Sequence, residues 1–195
     1  MRKKPFTALM VLGLAGAAYS ISVALAAILV VGFDTFLRTG ELFTIKPVFV
    51  DFSEHKAIIK LVDTKTSKRK VADECVVVES KVGVRLLREA CSLVKPGQSI
   101  LDMPAARARN ILRQLLMFFE LDSEAFNFYS LRRGGATAYF FKSGSMEKTL
   151  AKGRWESAST ARIYIQDAAA QAAELALSPT QHARMVSVAG VLEHT

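Results

Sequence analysis

The 195 residues carry a formal net charge of +8, with 51% hydrophobic and 23% charged side chains. That length holds one medium domain with a real core or two small ones, and the apolar share excludes a disordered chain. The basic surplus points to a polyanionic partner, either nucleic acid or an acidic membrane face. Two cysteines and three histidines, without CxxC or HExxH spacing, exclude a disulfide framework and leave no protein-held metal site in view.

After Arg2, Lys3 and Lys4, no charged residue occurs from Pro5 to Phe33. A basic start and an apolar run fit a secretory signal or a membrane anchor. They also fit two buried helices, roughly residues 7–18 and 22–33, meeting near Tyr19 and Ser20. Gly13, Gly16, Tyr19, Ser20 and Ser22 interrupt the run, which is too long for a signal core. Periodicity alone does not separate these readings.

Next comes FDTFLRTGELFTI, where Asp34 or Thr35 is expected to cap a helix start and Gly40-Glu41 to turn into the next helix. Pro47 is expected to end helical character. Three strand-like runs follow, PVFVDF, AIIKLV and CVVV, separated by polar clusters. Cys75 is expected as a buried strand residue. The loop DTKTSKRKVADE carries Lys65, Lys68, Arg69 and Lys70, either solvated or reaching a phosphate backbone.

Residues 80–94 return to helical spacing through Val84, Leu87, Cys91 and Val94, and Pro96-Gly97 closes them. Cys91 is expected in the helix core. Residues 104–121 place Ile111, Leu115 and Phe118 on one face, with Arg107, Arg109 and Arg113 on a solvated outer face. Phe140, Phe141, Met146 and Leu150 suggest short helices broken at Ser143-Gly144-Ser145. The alanine-rich residues 167–177 are expected as a helix ended by Pro179. The whole reads as one mainly helical domain with a small antiparallel sheet between its N-terminal and C-terminal helices.

Four motifs then stand in order: LRTGEL, TKT, YSLRRGGAT and GRWESASTARIY, the last with a tyrosine nine residues beyond its tryptophan. Together they resemble the tyrosine recombinase (phage integrase) family over about residues 24–166, the family's catalytic domain. The resemblance implies an α+β, mainly α fold: the helical catalytic domain of DNA breaking-rejoining enzymes, with a three-stranded antiparallel sheet. It implies such a domain over residues 1–178, without the family's N-terminal DNA-clamping domain, and a tail over 179–195. It also makes the apolar start core, because the helix before the first arginine belongs to that domain.

The roles carry over by position. Arg38 matches the first catalytic arginine and Glu41 the acidic residue that supports it. Lys65 matches the hairpin lysine, Tyr129 and Arg132 the two ends of an HxxR motif, Trp155 a histidine-or-tryptophan position, and Tyr164 the nucleophile. Lys68, Arg69, Lys70 and Arg133 are candidate DNA contacts, Arg133 with a structural role as its alternative. The implied function is DNA strand breakage and rejoining through a 3′-phosphotyrosine, without metal or other cofactor. The implied partners are double-stranded DNA and further copies of the chain in a tetrameric synapse. The implied location is intracellular, on nuclear or nucleoid DNA.

The chemistry accounts for these residue types. A phenol that loses its proton can attack phosphorus, two forked guanidiniums and an indole N–H suit the charge that develops on the phosphate oxygens, and a lysine can protonate the departing 5′ oxygen. One departure stands out: Tyr129 occupies a histidine position, and a phenol is a poor base at neutral pH. A second function class is therefore a catalytically decayed DNA-binding remnant of a mobile element, and a third is a membrane-anchored protein.

Overall fold

The computed structural model describes residues 3–61, 74–95, 97–165 and 176–194. The uncharged N-terminal run folds as two helices, α1 (Ala8–Tyr19) and α2 (Val23–Thr35). Its few polar residues sit at the helix ends. The Thr7 hydroxyl accepts from the Met10 amide at 3.3 Å and the Ser22 hydroxyl from Leu25 at 3.2 Å. Each cap satisfies an amide that the helix leaves without a carbonyl. Tyr19, in the last turn of α1, donates from its hydroxyl to Glu89 at 2.9 Å. No described helix is long and apolar enough to cross a membrane.

Helix α2 is the centre of the core. Leu25, Ile28, Leu29 and Val31 are fully buried, each contributing about 1.5–3 kcal/mol by leaving water. Its all-round burial explains the missing polar face. Around it lie α1, α4 (Lys81–Ser92) and α6 (Tyr129–Ser143). Between α2 and α4 come a five-residue helix, α3 (Thr39–Phe43), a 3₁₀ turn (Pro47–Phe49) and three strands.

The strands β1 (Val50–Phe52), β2 (Ala57–Leu61) and β3 (Glu74–Val78) form an antiparallel sheet in the order β1-β2-β3. Val50 pairs with Ile59, and Ile59 with Val76. Ala57, Ile59 and Leu61 point inward with Val76 and Val78, while Ile58 and Val77 face out. Strand alternation corrects one expectation. Cys75 falls on the outward face and is exposed. Cys91 is half-buried against the core, and burial raises its thiol to about 11.

The connection after α2 also differs from expectation. Asp34 and Thr35 are in the last turn of α2, and Gly40 and Glu41 lie inside α3 rather than in a turn. Asp34 instead ties the end of α2 to the approach to α4: its carboxylate accepts from the Glu79 and Ser80 amides at 2.7 and 2.9 Å, while the Ser80 hydroxyl caps α4 by accepting from Gly83.

In α5 (Ala105–Phe118), Ala108, Leu112 and Leu116 centre the buried face. Ile111 and Leu115 lie at its rim, and Phe118 falls past that rim into solvent while Phe119 takes the core position. Arg107, Arg109 and Arg113 are exposed, as expected. Helices α7 (Met146–Gly153) and α8 (Ala158–Tyr164) follow α6 after the Gly144 break, where φ is 62°. The alanine-rich stretch lies outside the described residues up to 175. Pro179 begins a helix of its own, standing at the first turn of α9 (Pro179–Ala189) behind the Ser178 cap. Helix α9 packs on α1, burying Met185, and α10 (Val191–His194) buries Leu192.

Candidate active site

The site begins where α2 stops. Phe36 adopts a left-handed conformation, φ 54°, which ends the helix and turns the chain outward. Its ring is 1% exposed, so packing holds a backbone state that a bulky residue rarely takes. Arg38 follows and caps α3. The Glu41 carboxylate accepts from the Arg38 amide at 2.7 Å and pairs with its guanidinium at 2.9 Å. The Arg38 side chain remains 48% exposed at the rim.

The second arginine comes from α6. A Cβ at Gly135 would stand 1.9 Å from the Phe33 carbonyl oxygen, so only glycine lets α6 lie this close to the end of α2. That approach carries Arg132 to the carbonyl of Phe36, to which it donates, and to that of Gly153 at 2.9 Å. Arg132 is 2% exposed. Burial, followed by the charges of Arg38 and Arg154, lowers its pKa to about 10, so it is a cation at neutral pH.

Trp155 completes the floor. A Cβ at Gly153 would sit 2.2 Å from the Trp155 ring, and the absence of one lets the indole fold back beneath the turn. The Arg132 guanidinium lies 4.8 Å from the Trp155 ring centre and 5.2 Å from that of Tyr164. Trp155 and Tyr164 stack with centroids 4.8 Å apart. Tyr129 lies against Tyr164 at 5.7 Å. Burial, then the hydrogen bond to Tyr164 and its charge, push the Tyr129 phenol up to about 12.

Arg38, Glu41, Tyr129, Arg132, Trp155 and Tyr164 therefore meet in one place. Two buried donors, Arg132 Nε and Trp155 Nε1, have no hydrogen-bond partner among the described residues, and Arg154 Nε in the adjoining turn has none either. Buried donors are ordinarily paired, so two unpaired ones beside a phenol and two guanidiniums make a place suited to an oxyanion. Lys65, Lys68, Arg69 and Lys70 lie outside the described residues. Arg133, a candidate DNA contact, is 2% exposed and donates to the Lys3 carbonyl. It is turned inward by α6, in keeping with the structural alternative.

Sequence reasoning missed the two basic residues flanking Gly153. Lys152 pairs with Asp34 at 3.3 Å and with Glu79 at 3.1 Å. Arg154, left-handed at φ 55°, pairs with Glu41 at 2.7 Å and with Glu74 at 3.2 Å. The signal in the sequence was the KGR triplet itself, but its partners are far away along the chain. Burial works against the Glu41 charge, yet Arg154 and Arg38 outweigh it and hold the carboxyl below its ordinary range.

The arrangement has counterparts among solved structures. The XerH site-specific recombinase bound to palindromic difH substrate, a post-cleavage complex, superposes over 90% of this chain and 54% of its own, with TM-score 0.67 and 14% identity. The XerA recombinase matches over 91% of this chain and 65% of its own, with TM-score 0.65 and 20% identity. A lambda integrase dimer bound to a COC′ core site matches over 86% and 49%, with TM-score 0.63 and 18% identity. This is the tyrosine recombinase catalytic-domain fold. The chain spans 49% to 65% of the length of these recombinases. No protein-family model matches the sequence, and no curated protein matches it. At such identities the recombinase likeness is one of fold, and the expected mainly helical architecture with its small sheet is borne out.

Proposed function

We propose that the chain breaks and rejoins DNA strands through a 3′-phosphotyrosine intermediate. The observation that carries this reading is the stack of Arg132, Trp155 and Tyr164, with two unpaired donors beside a phenol, on a recombinase fold. Tyr164 Oη attacks the scissile phosphorus and gives up its proton to solvent water, forming a bond to the 3′ phosphate as the bond to the 5′ oxygen breaks. Arg38, Arg132 and Trp155 stabilise the charge that grows on the phosphate oxygens. Lys65 gives the departing 5′ oxygen its proton. A second 5′ hydroxyl reverses the step and reseals the strand without an external energy source. Double-stranded DNA is the substrate, four copies of the chain form the synapse, and the site of action is nuclear or nucleoid DNA. The net charge of +8 supplies the attraction.

The test mixes the chain with supercoiled plasmid and with nicked duplex, and resolves the products under denaturing conditions. A covalent protein–DNA adduct is expected. Tyr164→Phe abolishes it, and Arg132→Ala lowers its rate by about 10²–10³. A second reading is favoured by Tyr129 in place of histidine: a DNA-binding remnant without strand transfer. It predicts salt-sensitive binding that Tyr164→Phe leaves unchanged and no adduct at all.

A further inference from the structure

Arg154 joins three parts of the chain that are remote in sequence. Its two terminal nitrogens meet both oxygens of Glu41, at 2.7 and 3.4 Å, and one also reaches Glu74 at 3.2 Å. Glu41 belongs to α3 and already holds Arg38 through its backbone amide and its guanidinium. Glu74 is the first residue of β3, at the foot of the segment that contains Lys65. Trp155 follows Arg154 directly. A single guanidinium thus touches the support of one phosphate-binding group, the base of the hairpin and the turn that sets the indole.

The contact is unlike a surface ion pair. The Arg154 and Glu41 side chains are 11% and 10% exposed, so solvent screens them little and geometry counts. A planar fork meeting a carboxylate at two points fixes orientation as well as distance, which a lysine ammonium does not do. Arg154 also takes its left-handed backbone at the end of α7 without being glycine.

Lys152 supplies an internal contrast. It pairs with Asp34 and with Glu79, just beyond the other end of β3, and rests over the Tyr139 ring at 4.8 Å. This second clamp resembles the first in kind, yet its ion-pair partners include neither Glu41 nor Glu74.

We propose that Arg154 is a positioning residue of this site, orienting Arg38 through Glu41 and registering the hairpin foot through Glu74. The inference rests on the proposed strand-transfer function. It assigns Arg154 no contact with DNA. Its loss therefore acts on the chemical step more than on binding.

The experiment follows adduct formation on nicked duplex with randomised sequence around the nick, as a function of DNA concentration, for the 195-residue chain. Arg154→Met is expected to lower the rate at saturating DNA by roughly 10- to 100-fold, as a misplaced reacting group does. The half-saturating DNA concentration is expected to stay within about twofold. Arg154→Lys recovers part of the rate, and Lys152→Met, which removes the other clamp, changes the saturated rate less than about twofold. If Arg154→Met does not fold, Glu74→Gln carries the test and is expected to slow the saturated rate by roughly threefold. A wild-type chain without adduct overturns both the function and this role. A wild-type chain that forms adduct, matched by Arg154→Met or, where that does not fold, by Glu74→Gln, overturns the positioning role alone. So does a Lys152→Met variant that loses as much rate as Arg154→Met.

Discussion

Tyr129 is the residue at which the proposed chemistry departs from the expected histidine. Its phenol, raised to about 12, stays protonated through the whole physiological range and is no general base there. What it offers the site is a hydrogen bond with Tyr164. A Tyr129→His variant introduces a group titrating near pH ~6.5. Its adduct-forming rate is expected to climb through that pH, an ascending limb that the wild-type profile lacks. Glu41 makes the second residue-scale prediction. Its folded pKa is depressed below the ordinary 4.5, so its contribution is complete above that value and is lost as pH falls through the folded one. Thermal unfolding followed downward from pH 6 is expected to show an acid-limb loss, and Glu41→Gln makes that limb shallower.

Among the elements, the turn from α7 to α8 depends most on a single atom's absence. A methyl group at Gly153 collides with the indole of Trp155, and such overpacking typically costs about 1–3 kcal/mol. Because Trp155 is the only tryptophan in the chain, its fluorescence reports directly on the site. Gly153→Ala is expected to shift the emission maximum to the red as the indole is pushed toward solvent, and to lower the melting temperature. An unchanged spectrum would show that the turn accommodates the methyl elsewhere. The α6 contact at Gly135 has the same logic, since it sets how closely Arg132 approaches the end of α2.

Across the whole molecule, the site is assembled from both ends of a core that wraps around α2. Arg38 leaves that helix, Arg132 is delivered against its end, and the last described helices, α9 and α10, close over α1. Met185, fully buried from α9, ties residues 179–194 to that core. Met185→Ala is expected to destabilise by about 2–5 kcal/mol in urea unfolding, a loss that a loosely attached tail does not produce.

Much of this was legible in the order of residues. The alternation in AIIKLV and the helical spacing of residues 80–94 are local patterns, and local patterns set local structure. They place the strand runs and α4, whereas the buried reading of the N-terminal helices and the candidate site positions rest on the resemblance to tyrosine recombinases. The packing of elements decided the rest. Whether the uncharged run was core depended on the surfaces of α4, α6 and α9 that pack on it, which its own composition does not encode. Cys75 and Phe118 each turned out to face the other way from their expected direction, because small differences in register or helix rotation carry a side chain across an interface. The partners of Arg154 lie 113 and 80 residues away. No window of sequence contains that contact. It exists because tertiary folding lowers the solvent screening between one cation and two carboxylates and holds them at bonding distance.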